Sequence, residues 1–133
     1  GKDAFPYVVP MNYVYDSKSG AIFLHCATSG HLLENLAQNA RACFEVDDPG
    51  RVIAAGYDAC DTSQVYKSVI CFGTARVVDD GKEKEQILEL FAKKYIDRIT
   101  PDRKYEVEFR TLDTTVAIAI KVEMMTGKQR SET

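Results

Sequence analysis

The residues best suited to chemistry lie in one segment, residues 22–39, in which a strand pattern gives way to a helical one. His25 stands near the end of the strand pattern, and a Thr-Ser-Gly turn leads through Gly30 to His31, where the helical pattern begins. The first turn of a helix has free backbone N–H groups and a positive dipole end, which suit a phosphate. Gly30 would let a ligand approach the backbone closely. The spacing therefore predicts an anion site, although an N-capped helix that binds nothing explains it more simply.

His25 is the candidate acid–base residue, because it projects from a strand with apolar neighbours. An imidazole in that position could lie against a cofactor ring or donate a proton to a substrate. A buried histidine with one backbone hydrogen bond is the commoner explanation for such a pattern. The sequence alone leaves both interpretations open.

Lys67 and Ser68 form a second candidate pair, at the start of a long strand pattern. From there they could reach a phosphate or a ring carbonyl, although a lysine beside a turn more often lies on the surface. Several aromatic residues are better explained as core than as a cofactor pocket; they are Tyr7, Tyr13, Tyr15, Phe23 and Phe44.

The cysteines and histidines predict neither a disulfide framework nor a metal site. No two cysteines form a Cys-x-x-Cys pair, and three of them lie inside apolar strand patterns, where a free cysteine behaves as a small hydrophobe. The two histidines lack a nearby cysteine pair at zinc-ligand spacing, and a core of this size does not need disulfides. The cysteines are Cys26, Cys43, Cys60 and Cys71.

Length and composition fit one small domain without a nucleic-acid or membrane partner. The 133 residues are 45% apolar, enough for one core. The formal net charge of −3 argues against binding a nucleic-acid backbone, for which domains are usually basic, but permits one phosphorylated small molecule. No apolar stretch approaches the roughly 20 residues of a membrane helix. No signal-peptide pattern is visible, so we expect a cytoplasmic location.

The elements around the candidate site begin with a predicted hairpin. Alternation over residues 6–15 predicts a strand, a turn follows at residues 16–20, and the returning strand covers residues 21–27. Pro10 cannot donate to a strand ladder, so we expect an edge, a bulge or a ligand at that point. The hairpin also lacks a preceding arm, from which we expect that an N-terminal strand or helix is missing.

The rest of the chain consists of short strand patterns with two helices inserted among them. An apolar stripe after Gly30 predicts the first helix, with Thr28 or Ser29 as its N-cap. A second helix is predicted over residues 81–95, capped by Asp79 or Asp80. Strands are predicted over residues 42–46, 52–57, 66–78 and 115–124, with a turn at 47–50, a polar loop at 58–63 and a polar tail at 126–133.

This layout predicts a single, mainly β domain over residues 1–133. The helices do not alternate with the strands, so a doubly wound parallel sheet fits poorly.

The chain resembles the nitroimidazole-reductase-like branch of the pyridoxamine 5′-phosphate oxidase-like superfamily. Residues 6–13 (PYVVPMNY) are similar to the second strand of that branch. Residues 22–27 (IFLHCA), followed by Gly30 and His31, resemble the segment that carries its histidine, its glycine and a basic residue. The other similar segments follow in the same order and are residues 42–47, 66–78, 83–95 and 126–128.

The resemblance implies a six-stranded antiparallel split β-barrel with two or more short helices, which binds FMN between the subunits of a homodimer. The implied activity is FMN-dependent reduction of a small molecule such as a nitroaromatic or a quinone, with His25 as the catalytic residue. The implied cofactor-binding residues are Val9, Pro10, Met11, Asn12, His25, Ala27, Gly30, His31, Leu32, Lys67 and Ser68.

One position departs from the family pattern. Many members carry lysine where this chain has Leu32, and a leucine cannot pair with a phosphate. An alternative is therefore a non-catalytic dimeric module that holds flavin, another phosphorylated cofactor or haem, and a third is a dimer without a ligand. Oxidation of pyridoxamine 5′-phosphate itself is disfavoured, because no constellation of arginines and lysines for a substrate phosphate follows the flavin segment.

Overall fold

The computed structural model describes residues 5–54 and 56–131 and forms them into one five-stranded sheet with two α-helices. Two predicted elements extend beyond the described residues. The strand predicted over residues 52–57 includes residue 55, and the tail predicted over residues 126–133 includes residues 132–133. The strand order is β1-β2-β5-β4-β3. The mainly β prediction is confirmed, with five strands in the described residues instead of six. The elements are β1 Val14–Asp16, β2 Ala21–Ala27, α1 His31–Gln38, β3 Arg41–Ala54, β4 Thr62–Val77, α2 Gly81–Ile99 and β5 Thr115–Arg130.

Two compact units divide the chain. The first unit comprises Gly1–Arg41 and Thr74–Lys121, and the second comprises Ala42–Gly73 and Val122–Thr133. Strands β4 and β5 contribute residues to both units. Both helices belong to the first unit, which therefore holds the predicted anion site and His25.

The core of the first unit forms between α2 and one face of strands β2 and β5. These strands pair antiparallel, with Phe23 opposite Ala119 and Ile22 opposite Ile120. Side chains alternate across a strand, so Phe23 and Ala119 share the face that packs on α2. Phe23, Ala119 and α2's Phe91 all belong to one buried cluster. This face fixes which strand residues can meet α2.

Strand β1 is much shorter than the predicted strand over residues 6–15. It covers only Val14–Asp16, and residues 6–13 belong to no strand. Two causes are visible. Pro10 has no N–H to donate, and the backbone of Tyr13 bonds instead to side chains of α2: its N–H donates to the Tyr95 hydroxyl over 3.0 Å. The strand therefore starts only after Tyr13.

Strand β3 is longer than predicted, because the turn predicted at residues 47–50 is part of it. β3 runs without a break over Arg41–Ala54. It lies at the edge of the sheet, where a proline such as Pro49 can face solvent without removing a ladder hydrogen bond. A Cβ at Gly50 would lie 2.9 Å from the Val65 Cβ, so glycine here permits close strand approach. The Pro-Gly pair marks a tight edge strand and not a turn.

The helices and the last strand also differ from prediction at their ends. The cap of α2 is confirmed, since the Glu83 N–H donates to the Asp80 carboxylate over 2.7 Å. The helix continues to Ile99, four residues beyond its predicted end and two before Pro101, which cannot continue a helix. β5 continues to Arg130, so most of the predicted polar tail is an exposed strand. Among the described residues, no helix combines the length and the apolar character needed to cross a membrane.

Candidate functional site

Helix α1 begins without a side-chain cap. Its N-cap residue is Gly30, so the prediction of Thr28 or Ser29 as the cap is wrong. Gly30 has φ 139° and ψ 171°, a conformation almost confined to glycine, and a Cβ placed on it would meet nothing within 4 Å. The first N–H groups of α1 therefore lack the side-chain acceptor that usually satisfies them. Glu34 is the acidic residue of the first turn and opposes a bound anion there.

His31 links this helix start to the segment before β1. Its ring stacks on the ring of Tyr7, with centroids 4.5 Å apart and planes at 12°. Its Nε2 atom is buried and has no hydrogen-bond partner among the described residues. A buried ring nitrogen without a partner is rare in proteins and indicates a group that a ligand or a water would satisfy.

The four residues predicted to face the flavin ring lie in the strand-free segment before β1. Val9, Pro10 and Asn12 are exposed, and Met11 is half-buried. The Tyr7–His31 stack brings the beginning of this segment to the start of α1. The structure thus links the segment that carries these four residues to the start of α1, while their participation in one site stays a prediction.

His25 lies on the face of β2 that packs against α2. It stands opposite Ala117 of β5, and its ring meets the Phe91 ring edge to face, with centroids 4.7 Å apart and planes at 84°. The side chain is half-buried. The packing of the ring is therefore fixed from one side by α2, while part of it is still accessible.

A cavity of about 560 Å³ opens beside His25 within the first unit. One wall comes from α2, and the other comes from residues 103–112, which contain no strand. Its volume lies in the range of small-molecule sites. The lining residues are His25, Leu88, Ala92, Ile96, Thr100, Arg103, Tyr105, Glu106, Val107, Glu108, Phe109, Thr111, Leu112 and Thr115.

Two ionisable groups in this region have shifted pKa values. The Tyr105 hydroxyl donates to the Asp97 carboxylate over 2.8 Å, and this hydrogen bond raises the pKa of Tyr105. Tyr105 is therefore a neutral hydroxyl at physiological pH. Burial raises the pKa of Cys26, the neighbour of His25, so its thiol is not an activated nucleophile. Within residues 5–54 and 56–131, no three His, Cys, Asp or Glu side chains cluster as metal ligands would.

Sequence reasoning missed the contacts that hold Tyr13. The Tyr95 hydroxyl lies 3.0 Å from both the backbone N and the backbone O of Tyr13. The Lys94 ammonium donates to the same carbonyl over 2.5 Å and lies 3.6 Å from the centre of the Tyr13 ring. We call these contacts the Tyr13 anchor. The sequence places Tyr95 at the end of the second predicted helix, and its hydroxyl is the one available signal of such a contact.

The remaining predicted site residues are less informative. Ala27 ends β2 and is exposed, and Leu32 is half-buried in the first turn of α1. Lys67 and Ser68 belong to β4 in the second unit. Lys67 is exposed, and the Ser68 carbonyl faces Gly127 of β5, 3.8 Å from where a Cβ would stand. Their participation in the site stays a prediction.

Solved structures with the same fold agree with this architecture. A candidate 5-nitroimidazole antibiotic resistance protein from Bacteroides thetaiotaomicron is 24% identical, with a TM-score of 0.74 over 94% of this chain and 69% of its own. The flavocytochrome Anf3 from Azotobacter vinelandii is 19% identical, with a TM-score of 0.76 over 97% of this chain and 58% of its own. An FAD and heme binding protein from Mycobacterium smegmatis is 24% identical, with a TM-score of 0.74 over 98% of this chain and 62% of its own.

This chain thus spans about three fifths of the length of the last two structures. No curated protein matches it. The family model described as pyridoxamine 5′-phosphate oxidase, however, matches residues 1–129, which is nearly the whole chain. The resemblance found in the sequence is confirmed at this level, and the chain belongs to the pyridoxamine 5′-phosphate oxidase family.

Proposed function

We propose that this protein is a flavin-dependent oxidoreductase that binds FMN and reduces a small aromatic molecule, such as a nitroaromatic or a quinone, in the cytoplasm. One observation carries the proposal. The uncapped start of α1 is joined, through the stack of Tyr7 on His31, to the strand-free segment that also carries residues 9–12. A helix start suits a phosphate, and backbone groups outside any strand are free to meet a ring edge.

The residues of this site fit a single phosphate ester. Gly30 leaves open space at the helix start, and the His31 Nε2 atom lacks a partner among the described residues. The N–H groups at the start of α1, to which no side chain provides a cap, supply donors without any side-chain charge. Leu32 and the Glu34 carboxylate weaken the fit, which leads us to expect modest affinity. Lys67 and Ser68 would add contacts only if they reach the same ligand.

In this proposal FMN, the cavity lining and His25 have separate roles. FMN, when bound, supplies the electron or hydride transfer. The apolar side chains of the cavity lining, among them Leu88, Ile96 and Phe109, contact an aromatic substrate. His25, oriented by the Phe91 ring, holds a proton at an imidazole nitrogen and donates it to the substrate as negative charge develops there.

The first test is flavin binding by the purified protein. We expect FMN titration to saturate at one flavin per chain, and the protein to oxidise NADH or NADPH in the presence of a nitroaromatic or a quinone. The His25→Ala variant should retain FMN, since the proposed site for the FMN phosphate lies at the start of α1. Its turnover should fall about 10²–10⁴-fold. Absence of flavin binding would refute the proposal. Full turnover by a folded His25→Ala variant would remove His25 from the mechanism.

A second candidate function is haem binding without flavin turnover. The cavity favours it, because half-buried His25 would supply an imidazole ligand to the iron, Leu88, Ile96 and Phe109 would contact the macrocycle, and Arg103 would pair with a carboxylate. Two structural neighbours are described as a flavocytochrome and as an FAD and heme binding protein. Haem added to the protein would give a Soret band that His25→Ala abolishes, whereas flavin gives bands that this substitution leaves in place.

We also propose that the protein acts as a homodimer. The strands of the second unit carry several exposed large apolar side chains, which single-chain proteins rarely gather in one region. The expected mass by light scattering is that of two chains, and Phe72→Glu should lower it to one. A monomeric mass for the unaltered protein at micromolar concentration would refute this proposal. The apolar side chains are Val52, Ile70, Phe72, Met124 and Met125.

A further inference from the structure

We infer that Tyr95 and Lys94 are positioning residues, through which helix α2 holds the backbone of residues 9–13 in the conformation that meets the flavin ring. The inference rests on the proposed flavin site. It adds residues that no family motif in the sequence marked, and it assigns to α2 a role beyond packing.

The first argument is the chemistry of the Tyr13 anchor. One hydroxyl, that of Tyr95, accepts from the Tyr13 N–H and donates to the Tyr13 carbonyl, both over 3.0 Å. The Lys94 ammonium donates to that carbonyl too and lies over the Tyr13 ring. Side chains of α2 thus satisfy both backbone groups of Tyr13, as a neighbouring strand would do. Residues 5–12, which precede Tyr13, take no part in the hydrogen-bond ladder of the sheet.

The second argument is that Tyr95 is linked to His25 through Phe91. The Tyr95 ring stacks on Phe91, with centroids 6.0 Å apart and planes at 13°. Phe91 in turn meets His25 edge to face. One turn of α2 therefore contacts the proposed flavin-edge segment at one end and the proposed catalytic residue at the other. The phenol of Tyr95 couples the position of the segment to a core that already holds His25.

The third argument is the position of the anchor along the segment. Tyr13 directly follows Asn12, the last of the predicted flavin-edge residues, and at the other end of the segment Tyr7 stacks on His31. The residues between are mostly exposed. The segment is held at both ends and free between them, which is what a backbone that must contact a ligand requires.

Two pairs of substitutions test the inference. Tyr95→Phe keeps the ring stack and removes the hydroxyl. Its control is Tyr15→Phe, which removes the hydroxyl of an exposed tyrosine in β1, two residues after Tyr13. Lys94→Met removes the ammonium, and its control is Lys93→Met, the exposed neighbour on α2. Each variant is compared with the unaltered protein by amide hydrogen exchange without ligand and by FMN titration with a visible spectrum.

The expected result is specific to the anchor. Loss of a partly buried hydrogen bond should raise the exchange rate of the Tyr13 amide about tenfold in Tyr95→Phe. FMN affinity should fall about three- to tenfold in Tyr95→Phe and Lys94→Met, and the visible flavin band should shift, because ring-edge contacts change. A change of less than about twofold is expected for both controls, well below the loss of one hydrogen bond. A merely structural role would lower stability without moving the flavin band.

The outcomes separate this inference from the proposed function. Unchanged exchange at Tyr13 in Tyr95→Phe would overturn the anchor even if FMN binds normally. Faster exchange with an unchanged flavin band and affinity would overturn its positioning role. No FMN binding by the unaltered protein would overturn the proposed function, and with it the flavin part of this inference, while the exchange rates would still report on the anchor.

Discussion

Helices α1 and α2 begin in opposite ways. At the start of α2, the Asp80 carboxylate accepts from the Glu83 N–H over 2.7 Å, and Arg76 pairs with the Glu83 carboxylate. At the start of α1, Gly30 offers no side chain at all, and open space lies where one would be. Both starts carry the positive end of a helix dipole, but only that of α2 is satisfied by its own residues.

The two helices also differ in length and in the number of residues that they bury. α2 is 19 residues long and buries Ile87 and Phe91, whereas α1 is 8 residues long and buries none of its residues. A helix as short as α1 gains little from its own hydrogen bonds and depends on packing against its neighbours. The comparison indicates that α2 organises the core and holds Tyr13 and His25, while α1 presents its open start to a ligand.

The sharpest expected difference between the helices is in stability. Phe91→Ala should lower the free energy of unfolding by about 3–5 kcal/mol, because it empties a buried site between α2 and β2. Leu36→Ala on α1 should cost much less, since Leu36 is only half-buried. Urea unfolding of both variants measures the two values. Equal losses would contradict the division of roles between the helices.

The next prediction concerns ligand affinity at the open start of α1. Leu32→Lys should strengthen FMN binding by about 1.5–3 kcal/mol, the range for a hydrogen bond to a charged group. Leu32→Gln is the control, because it places a polar side chain without a charge at the same position. FMN titration of both variants decides the matter. Equal or weaker binding by Leu32→Lys would show that the phosphate does not lie at this helix start.

Locally determined features of the fold were predictable from the sequence. The turn at residues 16–20 was predicted from its composition, and in the structure the Gly20 N–H donates to the Asp16 carbonyl over 2.9 Å. The cap at Asp80 was predicted from residues within one helical turn of it. In both cases the partners are a few residues apart, so the pattern and the contact fall in the same short window.

The errors arose where distant residues decide the local structure. The strand before the first turn begins late because Tyr13 bonds to Tyr95, which is 82 residues away. β3 continues through Pro49 and Gly50 because Val65 of the next strand approaches closely. The sequence could name the parts of the candidate site from family resemblance, but it could not show that α2 supports them, since helical spacing alone marks Tyr95 only as apolar.

A smaller effect is expected at the closed start of α2. Asp80→Ala should lower the free energy of unfolding by about 1 kcal/mol through loss of the cap. FMN affinity should not change, because that helix start is not a ligand site. Asp80→Asn is the control and should retain most of the stability, since an asparagine side chain also caps. Weaker FMN binding by Asp80→Ala would break the comparison and move the anion site to α2.

The smallest effect concerns another set of N–H groups capped by an aspartate, in the turn after β1. Asp16 accepts from the Ser19 hydroxyl and from the backbone N–H groups of Lys18 and Ser19, and these bonds lower its pKa below the ordinary value of 3.8. A lowered pKa in the folded state means that the ionised carboxylate stabilises the turn above the unfolded pKa. This contribution disappears as the pH falls through the folded pKa.

Asp16→Asn should therefore differ slightly from the unaltered protein at neutral pH, and the difference should shrink below about pH 4, where the unfolded carboxyl is protonated. Ser19→Ala removes the largest cause of the lowered pKa and should flatten the same pH dependence. Urea unfolding of the three proteins between neutral and acidic pH measures this. A stability difference that does not vary with pH would mean that Asp16 stabilises the turn by hydrogen bonding alone, without a contribution from its charge.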